Sequence, residues 1–144
     1  MLRCRPLWAT VPGFATVSGA MDIKRYDDIE PFTTKDGSEI REWAGRAAAP
    51  AVNQSLAEAS LPPGAATTEH FHRLSEELYL VTNGAGRLRI GDEEREICTG
   101  DCAVIPPGAR HKLWNTGDEV LRVVCACSPA YSHEDTVLTE DIPI

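Results

Sequence analysis

Of the four histidines in the 144-residue chain, three, His70, His72 and His111, fall in its central, turn-rich part. His70 and His72 flank Phe71, and on an extended strand a period of two puts both imidazoles on one face and Phe71 on the other. That is the geometry of a chelate. Glu77 opens the segment Glu77-Leu78-Tyr79-Leu80-Val81. Alternation there gives Glu77, Tyr79 and Val81 one face and Leu78 and Leu80 the opposite one. His111 follows the rigid turn Pro106-Pro107-Gly108, which can aim the next strand back toward the same interior. Three imidazoles and a carboxylate around a five- or six-coordinate divalent ion leave a position open, which suits catalysis better than a closed structural site. A His-x-His pair taken alone is more often two packed or solvated side chains, because two histidines on a strand need no metal.

The elements that must position these residues read as short strands. Residues 38–44 and 51–61 are candidate strands, separated by Ala47-Ala48-Ala49-Pro50, where the proline disfavours one continuous strand. Turn signals then recur at Pro62-Pro63-Gly64, Asn83-Gly84, Gly91-Asp92, Thr99-Gly100-Asp101, Pro106-Pro107-Gly108 and Thr116-Gly117-Asp118. Punctuation this dense predicts an antiparallel sandwich or barrel with little helix. A two-residue turn at Gly91-Asp92 sets Arg89 opposite Glu94 and Arg87 opposite Glu96, on a solvent face away from Leu88 and Ile90.

Two spacings carry a family resemblance. Gly64-x5-His70-x-His72-x4-Glu77-x6-Gly84 resembles the first cupin motif at every marked position, and Gly100-x5-Pro106-x-Gly108-x2-His111-x3-Asn115 resembles the second. The motifs cover residues 64–115, and compatible strand patterning extends from about 38 to 128. The resemblance implies an all-β fold, a double-stranded β-helix or jelly-roll barrel, with the site inside it. It maps His70, His72, Glu77 and His111 onto the metal ligands and implies one divalent ion per chain, Fe, Mn, Ni or Zn. Glu76 is the rival carboxylate, but the six-residue gap to Gly84 favours Glu77. The resemblance also implies a homodimer, to which edge strands and the apolar Trp43 and Trp114 would contribute.

Such a fold hosts many chemistries. A divalent ion balanced by one carboxylate leaves a net positive charge inside the barrel, which favours a small oxygenated or carboxylate substrate. The expectation is a metalloenzyme, with dioxygenase-type chemistry leading and isomerase or lyase chemistry using the same ligands. A non-catalytic binding or sensing module anchored by the metal is the alternative. Tyr79, on the ligand-bearing face, is the candidate catalytic acid or base, though tyrosine is also ordinary barrel filling.

Composition narrows the partners. The net charge of −8 argues against nucleic acid, which demands a concentrated basic surface, and no apolar run approaches the roughly 18 residues of a membrane span. Cys4, Cys98, Cys102, Cys125 and Cys127 form an odd set without CxxC spacing, consistent with a reducing, cytoplasmic setting and with Cys125 and Cys127 as small buried residues. The chain divides into an N-terminal extension or arm (1–20), an N-terminal strand region (21–50), a cupin barrel (51–128) and a C-terminal tail (129–144). In the tail, Ser132-x-x-Asp135 predicts a capping box on a short helix, from which His133 would reach the barrel mouth or simply cap the surface.

Overall fold

The computed structural model describes residues 21–46 and 51–142. The N-terminal extension with Cys4, and the Ala47–Pro50 break, lie outside the described residues. Eleven strands follow in chain order: β1 (Phe32–Thr33), β2 (Glu39–Ala44), β3 (Ser55–Leu61), β4 (His70–His72), β5 (Glu76–Asn83), β6 (Ala85–Ile90), β7 (Glu93–Cys98), β8 (Cys102–Ile105), β9 (His111–Asn115), β10 (Leu121–Ser128) and β11 (Thr136–Leu138). They form a six-stranded sheet, β1-β2-β3-β10-β5-β8, and a five-stranded sheet, β11-β4-β9-β6-β7. All named pairings are antiparallel. This is the double-stranded β-helix that the family resemblance implies. Among the described residues no helix is long and apolar enough to cross a membrane.

Alternation sets the inner and outer faces. In β5 and β10 every second residue is buried, so Glu77, Tyr79 and Val81 face inward with Val123, Cys125 and Cys127. Leu61, Val81, Ile105, Leu113, Leu121 and Val123 fill the space between the sheets, each almost inaccessible to solvent. Burying side chains of this size contributes about 1.5–3 kcal/mol each. Gly86 lets strands pack closely here, since a Cβ on it would sit 2.5 Å from the Trp114 carbonyl and 2.7 Å from Leu121 Cδ2.

The β6–β7 hairpin has the expected register, Arg87 opposite Glu96 and Arg89 opposite Glu94. Its outer face is less solvated than expected. Arg87, Arg89 and Lys112 surround the Trp114 ring, with charge-to-centroid distances of 4.6, 5.3 and 5.2 Å. Arg87 pairs diagonally with Glu94, and Arg89 also reaches Glu69.

The short-helix expectation for the tail is not met. Ser132 Oγ does accept the Asp135 N–H, at 3.2 Å, as a capping box would begin. The Asp135 carboxylate instead accepts the N–H groups of Leu74 and Ser75 at 2.8 and 3.1 Å. Thr136 then starts β11, which pairs with β4 from Thr136 opposite His72 to Leu138 opposite His70.

Candidate metal centre

The four residues marked by spacing converge. One nitrogen from each of His70, His72 and His111 and one oxygen of Glu77 all lie within 4.8 Å of one another, and all four residues are buried. The three imidazoles come from the five-stranded sheet and the carboxylate from β5 of the other. His70 and His111 are direct cross-strand partners, with ring centroids 4.2 Å apart. Gly108, at a φ of +79°, makes the tight turn ahead of β9. Its N–H donates to the His72 carbonyl at 2.6 Å, tying the His111 turn to the His-x-His strand. Glu76, the rival carboxylate, is exposed.

The backbone fixes which imidazole nitrogen points inward. His70 Nδ1 lies 2.8 Å from the Thr68 carbonyl and His111 Nδ1 3.0 Å from the Ala109 carbonyl. A carbonyl only accepts, so both Nδ1 atoms carry the proton and both Nε2 atoms present lone pairs to the cluster. The Thr136 hydroxyl donates to the Ser132 carbonyl at 2.9 Å, which leaves it to accept from His72 Nδ1 at 3.2 Å. All three rings therefore hold a proton on Nδ1 and turn Nε2 inward.

Glu77 Oε2 sits 3.0 Å from His72 Nε2 and 3.3 Å from His111 Nε2, and His111 Nε2 is buried without a hydrogen bond. Cys127 Sγ donates to Glu77 Oε1 at 3.4 Å. Burial pushes the Glu77 carboxyl upward, but the two imidazoles outweigh it and hold it well below the usual carboxylate range. Burial and the neighbouring His111 hold His70 below its ordinary value. For His72, burial acts downward and the Glu77 carboxylate outweighs it, raising the pKa.

These residues fit a metal ion. The Nε2 lone pairs of His70 and His111 beside an ionised carboxylate leave acceptors facing acceptors, which a cation resolves, and at His72 a cation would take the place of the proton between Nε2 and Glu77 Oε2. Ligands on opposite sides of an ion at roughly 2.0–2.2 Å lie about 4.0–4.4 Å apart, so a span of 4.8 Å closes with shifts of a few tenths of an ångström. The cluster can hold one divalent ion.

Tyr79 lines the same cavity, its ring 5.8 Å from that of His111 and nearly perpendicular to it. Burial, reinforced by the Glu77 charge, raises its hydroxyl well above the usual phenol range. Facing the imidazole wall are small residues: Ser55, Ala57 and Ala59 of β3, with Cys125 and Cys127 of β10. They leave the cavity its space. His133 lines a chamber outside the barrel, where its ring meets that of Tyr131 at 5.6 Å. Trp43 packs against Tyr26, at 5.8 Å between centroids, away from the centre.

Sequence spacing passed over Thr136, Cys127 and Tyr131. Thr136 and Tyr131 lie in the tail, and only the β4–β11 pairing brings Thr136 to His72. The period-two spacing of Cys125 and Cys127 signalled a shared face but not that Cys127 stands opposite Glu77.

An antiparallel double-stranded β-helix with three imidazoles and a carboxylate buried between its sheets defines a class of small barrel proteins built around a metal-competent centre. The cupin domain model matches residues 57–127, and the chain belongs to the cupin family. An uncharacterized protein of Methanocaldococcus jannaschii is 44% identical over 115 residues, spanning 80% of this chain and 92% of that protein. The polyketide synthase protein CurC of Streptomyces cyaneus is 30% identical over 121 residues, 81% of this chain and 76% of that one. Among solved structures, the Streptomyces nucleoside dehydratase Pac13 superposes with a TM-score of 0.68 at 18% identity, covering 84% of this chain and 92% of its own.

Proposed function

We propose that this protein is a metal-dependent cupin enzyme acting on a small oxygenated or carboxylate substrate, with His70, His72, Glu77 and His111 as ligands. One observation carries the reading: three imidazoles, each braced at Nδ1, turn their Nε2 atoms toward an ionised carboxylate in a buried cavity. A divalent ion bound there, Fe, Mn, Ni or Zn, would polarise a substrate oxygen or activate water or dioxygen.

The chain's own residues supply the rest. Tyr79 keeps its proton, so its role is to donate a hydrogen bond or a proton to a substrate oxygen rather than to abstract one. Cys127 holds one oxygen of Glu77, leaving the other toward the imidazoles. The apolar lining of Ile40, Ala57, Ala59 and Leu113 excludes water around the reacting atoms.

Dioxygenase-type turnover and isomerase or lyase turnover need the same ligands. The relationship to a polyketide synthase protein supports the second, because polyketide chains are polycarbonyl compounds whose carbonyls rearrange by proton transfer without net oxidation. The odd set of cysteines supports a cytoplasmic protein as part of the same proposal.

The test is to restore Fe, Mn, Ni or Zn to the full chain and follow aryl 1,3-diketones and hydroxy acids with and without oxygen. Conversion in anaerobic buffer supports isomerase or lyase chemistry. Oxygen uptake stoichiometric with substrate loss assigns a dioxygenase. No conversion under either condition, with a ligand still bound through the metal, turns the reading to a binding module.

A further inference from the structure

The centre opens onto two spaces of very different size. The inner cavity beside His70, His72 and Glu77 measures about 40 Å³. That is well below the roughly 300–1,000 Å³ of small-molecule sites, so the inner cavity by itself does not house a whole ligand of that size. Outside it lies a chamber of about 570 Å³, within the roughly 300–1,000 Å³ of small-molecule sites. Phe32, Glu42 and Tyr131 line both and form the neck between them. A molecule too large for the inner cavity that reaches the ligand cluster must leave most of itself in the outer chamber.

The outer wall describes that remainder. Ile29, Phe32 and Tyr131 offer apolar surface, while Asp28, Glu30 and Glu134 outnumber Lys24 and Arg46. An excess of carboxylates repels a phosphate-bearing body and accepts hydrogen bonds from hydroxyl groups. Tyr131 at the neck is held by its N–H, which donates to Ser55 Oγ at 2.9 Å. Its ring stands edge-on to His72 at 6.0 Å and to His133 at 5.6 Å. Its hydroxyl is buried near Thr136 and the Lys35 backbone without a hydrogen bond of good geometry to either, which leaves a donor to be satisfied at this point.

We infer that the substrate is a two-part molecule: an oxygen-bearing head of a few atoms enters the inner cavity, and an apolar, hydroxylated, uncharged body stays in the outer chamber. Tyr131 is the positioning residue at the junction, donating its hydroxyl hydrogen to a substrate oxygen there. The inference rests on the enzyme reading above and adds to it the class of substrate.

Calorimetric titration of the zinc-loaded full chain tests this with three compounds. Glycolate stands for the head alone, 3,5-dihydroxy-2-naphthoate for head and hydroxylated body, and 2-naphthoate for head and bare body. The dihydroxynaphthoate should bind at least about tenfold more tightly than either, the scale of a well-made hydrogen bond on a preformed surface. Tyr131→Phe should weaken the dihydroxynaphthoate about tenfold and leave glycolate within about twofold, a split that general loosening of the fold would not produce. Asp28→Ala combined with Glu134→Ala, which removes both acceptors from the chamber wall, should abolish the preference over 2-naphthoate. Equal binding of all three compounds by the unaltered protein overturns the inference, as does a Tyr131→Phe protein that loses glycolate equally. Absent turnover with the preference intact overturns the enzyme reading alone. Turnover with no preference overturns this inference alone.

Discussion

The two walls of the barrel divide its labour. The five-stranded sheet turns His70, His72 and His111 inward and braces each Nδ1 on an oxygen from a neighbouring loop or strand, two of them main-chain carbonyls. The six-stranded sheet contributes a carboxylate, a phenol and a row of small side chains, Ser55, Ala57, Ala59, Cys125 and Cys127. One wall fixes geometry and the other leaves room. The difference persists on the outside. The five-stranded sheet covers Trp114 with Arg87, Arg89 and Lys112, whereas the six-stranded sheet exposes Leu56, Leu78, Leu80 and Val104.

Removing a ligand from the geometry-fixing wall should have the largest effect. In a His111→Ala protein, metal content measured after purification without added metal should fall to a small fraction of that of the unaltered chain. A β-rich circular dichroism spectrum should remain. The loss should exceed the roughly 10–100-fold typical of disturbing only a ligand's hydrogen-bond partner. Full occupancy in this protein would remove His111 from the ligand set and with it the contrast between the walls.

How much of this contrast was legible beforehand depended on the range of the interaction. His70, His72, Glu77 and Tyr79 were placed on common faces because alternation is local and strict. The β6–β7 register was legible because the Gly91-Asp92 turn fixes it, and a one-residue slip would turn every side chain to the wrong face. Strand order is a different matter. Thr136 lies 64 residues from His72 along the chain, and nothing in its neighbours announces that β11 pairs with β4. The capping-box reading of the tail used a correct local bond, Asp135 N–H to Ser132 Oγ. It missed that the Asp135 carboxylate is claimed by Leu74 and Ser75, some 60 residues earlier in the chain.

On the roomy wall the effect should be on turnover, not on metal. Tyr79→Phe removes one hydroxyl and leaves the ring in its cavity. Turnover should fall about 10²–10⁴-fold, the range for losing a positioned acid or base, with metal content unchanged by elemental analysis. A metal-replete Tyr79→Phe protein with full turnover would make Tyr79 part of the packing and leave chemistry entirely to the other wall.

A smaller effect separates the three imidazoles from one another. His70 and His111 lean on main-chain carbonyls, which no side-chain substitution removes, whereas His72 leans on the hydroxyl of Thr136. Thr136→Val keeps the shape and deletes the acceptor. Metal affinity, measured by competition with a chelator, should drop about 10–100-fold. An unchanged affinity would show that the surrounding packing alone orients His72.

The outer faces sharpen the comparison last and least. Leu56, Ala126, Leu78 and Val104 form one continuous row across β3, β10, β5 and β8, because each is the register partner of the next. Leu80 and Val124 lie in the adjacent row. Leu56, Leu78, Leu80 and Val104 are 42%, 37%, 41% and 56% exposed, a bare apolar surface ending at edge strand β8. By contrast Trp114 is already surrounded by cations, and Trp43 packs against Tyr26. We therefore propose that the expected homodimer forms through the six-stranded sheet rather than through the tryptophans. Lysines within such a face would have to be desolvated on association. Leu78→Lys with Val104→Lys should thus raise the dimer dissociation constant by about tenfold or more, equivalent to roughly 1.4 kcal/mol. Light scattering across a dilution series reads this directly, and both substitutions point away from the cavity, so metal content serves as the control for folding. A dimer unmoved by both lysines but dissociated by Trp114→Ala would transfer the interface to the other wall.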